Sequence, residues 1–381
     1  MKCIYFDNAA TTFPKPPSVK TAVANAVSNL GGNPGRSGHV YSVEAAKAVY
    51  SVRQKSAAMF GAQPENTVFT QNCTHALNLA LKGIASRGDR IVISSMEHNA
   101  AARPAYALSK QGARVFVAEV EDTDEKTVEN FKELITPDTK CVVCTAASNV
   151  TGRIMPIDEI AHICRTSGVC LIVDGAQACG IIPMKIGNGI NFICTAGHKG
   201  LYAATGTGLL ISDGTYSLNT IMEGGTGATS AELEQTPFMP EKLECGTVNT
   251  VGIASLGAGI DYVNRMGTGS IYAHENALCE IFIDGIKGLQ GVNIHRQGEK
   301  FVPIVSFSID GIDSEAAAGC LSDMGFALRG GLHCAVLAHK TIGTLPRGTV
   351  RFSPSVFSSE NDVKALVSAV KKILKHGLWL L

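Results

Sequence analysis

The sequence predicts an α/β protein, with a mostly parallel sheet covered by helices on both faces and a smaller C-terminal domain after it. Three observations carry this. Between Val68 and Cys194, short apolar runs alternate with segments of helical spacing, the pattern of parallel strands joined by crossover helices. Polar residues collect just past the apolar runs, at the strand ends where open α/β sheets bind ligands. A chain of 381 residues with 45% hydrophobic content buries a large core, and its length points to two domains.

Residues Tyr5-Phe-Asp-Asn-Ala-Ala-Thr-Thr12, followed by Pro14, Pro16 and Pro17, read as an extended entry broken by prolines. A helix runs to Leu30, then a Gly/Asn/Pro loop, 31–39, ends at His39, where small residues let backbone pass close to something. Helical spacing covers Ser42 to Phe60, and Val68-Phe-Thr70 is a short strand. The turn Gln71-Asn-Cys-Thr-His75 leads to a helix from Ala76 to Lys82, an arrangement that offers helix N-terminal amides to a phosphate. Cys73 and Thr74 add side-chain donors there. Strands follow at Arg90–Ser94, 115–119 and 141–146, with helices at 125–134 and 157–166. Glu97-His98-Asn99 lies past the first of these strands; His98 either stacks on a planar cofactor or caps the next helix. Apolar strands at 169–173 and 192–194 run into Asp174 and toward Lys199. Beyond Ile211 the pattern loosens into two Gly/Thr loops, 223–229 and 243–249, then a helix-rich stretch to Lys287. A strand at 302–308 and a helix at 362–375, entered through a Ser359–Asp362 capping box, complete the C-terminal part.

Composition narrows the function. Lys plus Arg equal Asp plus Glu at 33 each, so neither nucleic acid nor a membrane surface is favoured as partner. No apolar run approaches about 18 residues, and no secretory pattern opens the chain, which points to a cytoplasmic protein. Most of the twelve cysteines sit within apolar runs as small hydrophobes. Cys141 and Cys144 have metal-ligand spacing but lie on one strand, where positions three apart face opposite sides; no metal site is expected.

The chemistry concentrates at two points. A lysine just after a buried strand is placed for an amine that must meet a carbonyl in a dry pocket. An acid at the end of a neighbouring strand, Asp174, complements it: pyridoxal phosphate needs a lysine for its aldehyde and an acid beside its ring nitrogen. The alternative for Asp174 is a helix cap. The second point is Leu328-Arg-Gly-Gly-Leu-His-Cys-Ala335 with Gly348-Thr-Val-Arg-Phe-Ser353. Cys334 stands in a Gly-rich turn beside His333 and near Arg329, where positive charge favours the reactive thiolate. Arg351 is placed to clamp a substrate carboxylate in bidentate fashion, or is a surface arginine on an edge strand.

Together these stretches closely resemble the cysteine desulfurase family, in the class V aminotransferase branch of the fold-type-I pyridoxal phosphate enzymes. The matching segments are Phe6–Thr12, Gly35–His39, Glu97-His98, Ser148-Asn149, Asp174–Gln177, Gly197–Lys199, Glu244–Asn249 and Arg329–Ala335. The Arg-Gly-Gly-Leu-His-Cys-Ala form is similar to the second group of the family, which includes selenocysteine lyase-like members with a short, ordered cysteine loop. The resemblance implies a large domain (16–255) with a mostly parallel seven-stranded sheet, a small α+β domain (256–381), and an N-terminal segment (1–15) that joins the small domain. It implies pyridoxal 5'-phosphate held by Lys199, which also moves the α-proton. Asp174 would pair with the ring nitrogen, Gln177 with the phenolic oxygen, and His98 with the ring face. Cys73, Thr74 and His198 would take the phosphate, joined by Thr247 from the other subunit of a homodimer. Asn149, Arg351, Arg329 and His39 would serve the substrate, and Cys334 would take its sulfur as a persulfide. Two departures stand out: the phosphate turn reads Asn72-Cys-Thr-His75 where the group usually has Gly-Thr-Thr-Glu, and Ala196 replaces a frequent serine, for which Thr195 would compensate.

The resulting expectation is conversion of L-cysteine to L-alanine, with a sulfur-acceptor protein as further partner. A selenocysteine lyase or a desulfinase on the same scaffold is the near alternative. An aminotransferase would need no nucleophilic cysteine. A dinucleotide-binding module would need a GxGxxG after the first strand and leaves Lys199 unexplained, and a scaffold that keeps the fold without chemistry is a further alternative.

Overall fold

A computed structural model describes residues 3–376, apart from 36 and 346; Arg36 of the Gly35–His39 stretch therefore lies outside the described residues. The strands in chain order are β1 (Ile4–Tyr5), β2 (Thr67–Thr70), β3 (Arg90–Ser94), β4 (Arg114–Ala118), β5 (Thr139–Thr145), β6 (Cys170–Asp174), β7 (Phe192–Ala196), β8 (Gly208–Ser212), β9 (Val292–His295), β10 (Val305–Ile309), β11 (Phe326–Ala327) and β12 (Val350–Phe352). Seven of them form one sheet in the order β2-β8-β7-β6-β5-β3-β4. It is parallel from β7 through β4, and β8 runs antiparallel to both neighbours.

The central strands are apolar on both faces because both faces are covered. Val142, Cys144, Leu171, Val173 and Ile193 enter one core. The alternating residues Cys141, Val143, Cys170, Ile172 and Cys194 enter the other. The period of two thus puts Cys141 and Cys144 on opposite faces. Helix Cys73–Ile84 belongs to the second core, burying Cys73, Ala76, Leu77 and Leu79–Leu81. It starts at Cys73, earlier than expected, because the Asn72 side chain accepts the His75 amide as its cap. Strand β8 is not among the strands the sequence predicts. Its Gly208 passes so close to the turn before that helix that a Cβ would lie 2.6 Å from the Asn72 carbonyl carbon.

A three-stranded antiparallel sheet, β12-β10-β9, and the pair β1-β11 occupy the other part. Phe6, Phe282, Phe307, Phe352 and the apolar face of helix Glu360–His376 share their core. β10 begins later than the expected 302–308. Residues before it bond the turn after Asn149 instead, Val302 N to the Gly152 carbonyl at 2.7 Å. Gly152 allows this at φ 77°, since a Cβ would meet the Ile304 carbonyl oxygen at 2.7 Å. Among the described residues no helix is long and apolar enough to cross a membrane.

Candidate active site

The carboxyl ends of β5, β6 and β7 open on a cavity of roughly 300 Å³. Register puts Asp174 beside Thr145 on one side and Cys194 on the other, so its carboxylate stands at the end of the sheet, 3% exposed. No helix follows Asp174. The acid is not a helix cap; Oδ1 accepts the Ala176 amide at 2.9 Å within its own turn. Lys199 lines the same cavity from the turn after β7. Burial lowers the tendency of its amine to be charged, against the opposing pull of Asp174. That leaves an amine fit to attack a carbonyl.

The N-terminal stretch fastens this turn. Thr12 N and Oγ1 donate to the His198 carbonyl at 3.0 and 3.2 Å, Lys15 Nζ donates to the same oxygen at 2.9 Å, and Gln177 Nε2 donates to the Ala9 carbonyl at 3.0 Å. Ala9, Ala10 and Gln177 line the cavity. The sequence reading gives these alanines and Thr12 no role, because contacts across almost 190 positions leave no local periodicity.

His98 takes the capping role expected of it and also faces the cavity. Its Nδ1 caps the helix Asn99–Lys110 by accepting the Ala100 amide at 3.0 Å, and its ring lines the cavity. Burial lowers its pKa to about 4, so the ring is neutral. Beneath it, fully buried Glu97 accepts from Ser94 Oγ (2.6 Å) and the Thr145 amide (2.7 Å).

Four expectations are corrected. Cys73 lines the cavity, but its thiol is spent on Asp174, donating to Oδ1 at 3.3 Å. Burial and that carboxylate push the thiol well above its ordinary pKa. Thr195 does not line the cavity: it alternates with Ala196, lies on the opposite face of β7, and its hydroxyl points to the Gly175 carbonyl at 3.5 Å. His39 is exposed and caps helix Val40–Phe60 by accepting the Ser42 amide, outside the cavity of its own chain. His333 cannot assist Cys334 as a cation. It is 2% exposed, and burial drives its pKa far down.

The remaining residues meet from distant places. Arg351, read as either a clamp or a surface arginine, is 1% exposed. Its Nη2 pairs with Asp7 at 2.8 Å and its Nη1 donates to the Asn149 carbonyl at 3.0 Å. Asn149 Nδ2 donates to the His333 carbonyl at 2.8 Å. Asp7, separated from Arg351 by nearly the whole chain, escapes any reading of spacing. Arg329 lines the cavity and its Nη2 lies 3.5 Å from Cys334 Sγ. Cys334 is exposed, and both it and His333 have left-handed backbone, φ 56° and 48°, a conformation that costs L-residues about 1–2 kcal/mol each. Thr74 and His198 also line the cavity, whereas Thr247 is exposed and accepts from Asn33 Nδ2 at 3.1 Å.

The residues present fit pyridoxal phosphate. Asn149 Oδ1, Arg351 Nε and His198 Nδ1 are buried polar atoms without a partner among the described residues. With a low-pKa amine, an acid and a helix N-terminus around one cavity, the donor set matches an aldehyde, a ring nitrogen and an anion.

The Aminotransferase class-V family matches residues 4–366. A probable cysteine desulfurase of Halobacterium salinarum is 32% identical, over 96% of this chain and 90% of its own length. One from Xylella fastidiosa is 30% identical, over 98% and 91%. The apo structure of a cysteine desulfurase from Thermococcus onnurineus superposes with a TM-score of 0.90 at 29% identity, covering 98% of this chain and 95% of that one.

Proposed function

The chain belongs to the aminotransferase class-V family, among its cysteine desulfurases, and we propose that it converts L-cysteine to L-alanine with pyridoxal phosphate as cofactor, Cys334 taking the sulfur as a persulfide. One observation carries the reading: an exposed cysteine on a backbone-strained loop, with a guanidinium against its sulfur, beside a cavity that already holds a buried acid and a low-pKa lysine.

The cofactor, when bound, supplies an electrophilic carbonyl and a sink for electrons released at the substrate carbons. Lys199 would hold it and move the α-proton, burial lowering the pKa of its amine. Asp174 would hold the ring-nitrogen proton; with Oδ1 already accepting from Ala176 and Cys73, Oδ2 is the oxygen left for it. Neutral His98 would cover the ring, Gln177 would face its phenolic oxygen, and Thr74 and His198 would receive the phosphate. Arg351 would bind the substrate carboxylate through its unpartnered Nε, and Asn149 through the Nδ2 hydrogen not given to the His333 carbonyl. Arg329 would favour the Cys334 thiolate. As Cys334 Sγ bonds the substrate sulfur, the Cβ–S bond breaks, its electron pair stays with the carbon skeleton, and that skeleton takes a proton to leave as alanine.

The same reading includes a homodimer, in which exposed Thr247 reaches the phosphate of the other subunit, and transfer of sulfur from Cys334 to an acceptor protein or thiol. It includes the division into a large domain, 16–255, and a small one, 256–381, joined by residues 1–15, supported by the pairing of β1 with β11 and the separate core around Phe282. Placement in the cytoplasm belongs to it too, supported by twelve unbridged cysteines.

The deciding experiment is product analysis with L-cysteine and L-selenocysteine, with and without a thiol reductant, on protein whose visible band is removed by borohydride. Alanine from cysteine, raised by reductant, is the expected result. Alanine from selenocysteine alone would make the protein a selenocysteine lyase, and the absence of a borohydride-sensitive band would end the pyridoxal reading.

A further inference from the structure

His333 stands beside the nucleophile, yet nothing in the proposed chemistry uses it. Its surroundings define its state. Nε2 lies 2.9 Å from the Thr349 carbonyl, which only accepts, and 3.1 Å from Thr349 Oγ1. The ring proton is therefore on Nε2. Thr349 Oγ1 lies 3.2 Å from Ser306 Oγ, and Ser306 Oγ donates to the Val150 carbonyl at 2.6 Å. Since that carbonyl can only accept, each group in the line donates onward: His333 to Thr349, Thr349 to Ser306, Ser306 to Val150. Nδ1 is buried and has no partner among the described residues. A second ring proton would be a buried donor with no acceptor, so the imidazole stays neutral.

The line ends one residue past Asn149, whose side chain returns to the His333 carbonyl at 2.8 Å. A closed circuit thus joins the Cys334 loop to the Asn149–Val150 turn. Further bonds hold the loop, among them Asn99 N to the Cys334 carbonyl at 2.7 Å, Thr349 N to the Gly331 carbonyl at 3.1 Å and Gly331 N to Ser314 Oγ at 3.1 Å. Two consecutive left-handed non-glycine residues persist only where surrounding structure over-determines them. Here the buried circuit does so.

We infer that His333 is a positioning residue, which locks the Cys334 loop to the carboxylate-binding turn through Thr349 and Ser306, so that substrate grip and sulfur acceptor are set as one unit. This rests on the proposed desulfurase reading and adds to it that the histidine acts by geometry, with no proton transfer of its own. The dependence falls on cysteine as substrate: thiolate attack requires a placed Sγ, whereas a selenol, more acidic than a thiol, departs with less help.

The test compares holoenzyme variants His333→Ala, His333→Gln and Thr349→Val. In His333→Gln an amide nitrogen takes the place of ring Nε2. We expect His333→Ala to lower kcat for alanine from L-cysteine by about 10²-fold, the scale of an ångström-sized misplacement, with KM little changed. The loss on L-selenocysteine should be at most about a tenth of that. His333→Gln should recover most of the rate, and Thr349→Val should fall between. Deuterium exchange of the peptide 329–336 should speed up in His333→Ala and Thr349→Val but not in His333→Gln. Should His333→Ala fold poorly, Thr349→Val and the Gln variant carry the comparison. Unchanged kcat and exchange in Thr349→Val would overturn the circuit. Equal loss on both substrates with unchanged exchange would overturn positioning and place His333 in the cavity's own chemistry. A wild type that makes no alanine from L-cysteine would defeat the proposed function instead, and the exchange arm would still decide whether the circuit holds the loop.

Discussion

The two halves of the cavity are built differently, and their cysteines show it. The sheet half, Asp174, Cys73 and Lys199, stands on the ends of neighbouring strands and on one helix N-terminus, where ladder register sets position. The loop half, Arg329, Cys334 and Arg351, comes from the last part of the chain. It is tied in by long-range side-chain bonds, among them Arg351 to Asp7 and Asn149 to the His333 carbonyl. In the first, Cys73 is buried against a carboxylate and remains a hydrogen-bond donor. In the second, Cys334 is exposed beside a guanidinium. One residue type is a buried strut or an exposed thiol beside a cation according to the charge and water around it.

Breaking the sheet half should have the largest effect. Lys199→Ala is expected to lose the visible band and alanine formation from both cysteine and selenocysteine while the far-ultraviolet circular dichroism persists; a band unchanged in the variant would mean that another lysine holds the cofactor. Breaking the loop half should be selective. Cys334→Ala is expected to keep the band, lose nearly all alanine from L-cysteine, and keep much of that from L-selenocysteine. Equal loss on both substrates would erase the distinction between the halves.

Asp174→Asn comes next. A neutral partner holds the ring-nitrogen proton poorly, so kcat should fall by the equivalent of roughly 2.7–4 kcal/mol, the scale of a lost transition-state electrostatic group, with cofactor still bound. Turnover near the wild-type value would reduce Asp174 to a turn-forming residue.

Glu97 sharpens the picture of a dry sheet half. Burial raises its pKa from 4.5 to about 8, so the folded protein keeps a proton that the unfolded chain releases. Stability therefore falls as pH rises between those two values. Glu97→Gln keeps the acceptor that Ser94 and Thr145 use and has no such proton to lose. Its melting temperature relative to wild type should accordingly climb from about pH 5 to about pH 8; a constant difference would show Glu97 to be ionised throughout.

The smallest effect belongs to Cys73→Ala, which removes one weak donor from a carboxylate that keeps the Ala176 amide. Turnover should drop by less than about tenfold, on the order of one hydrogen bond. In the wild type, iodoacetamide followed by peptide mapping should label Cys334 and spare Cys73. Comparable labelling of both would break the contrast between them.

What the sequence determined by itself follows from short-range patterning. Apolar runs with polar residues at their ends disclosed the parallel strands, and so placed Asp174 and Lys199 together at the ligand edge. Glycines around Cys334 disclosed an unusual turn. Only the tertiary structure decided the rest. Which face of β7 meets the cavity depends on where helix Cys73–Ile84 packs, and that sends Thr195 away and turns the Cys73 thiol to Asp174. Whether His333 is a cation depends on burial and on a carbonyl sixteen positions later. Arg351 became a buried, paired group because Asp7 crosses from the other end of the chain. Charge state and orientation are set by the whole surroundings of a group, and those are assembled from residues too far apart in sequence to leave a local pattern.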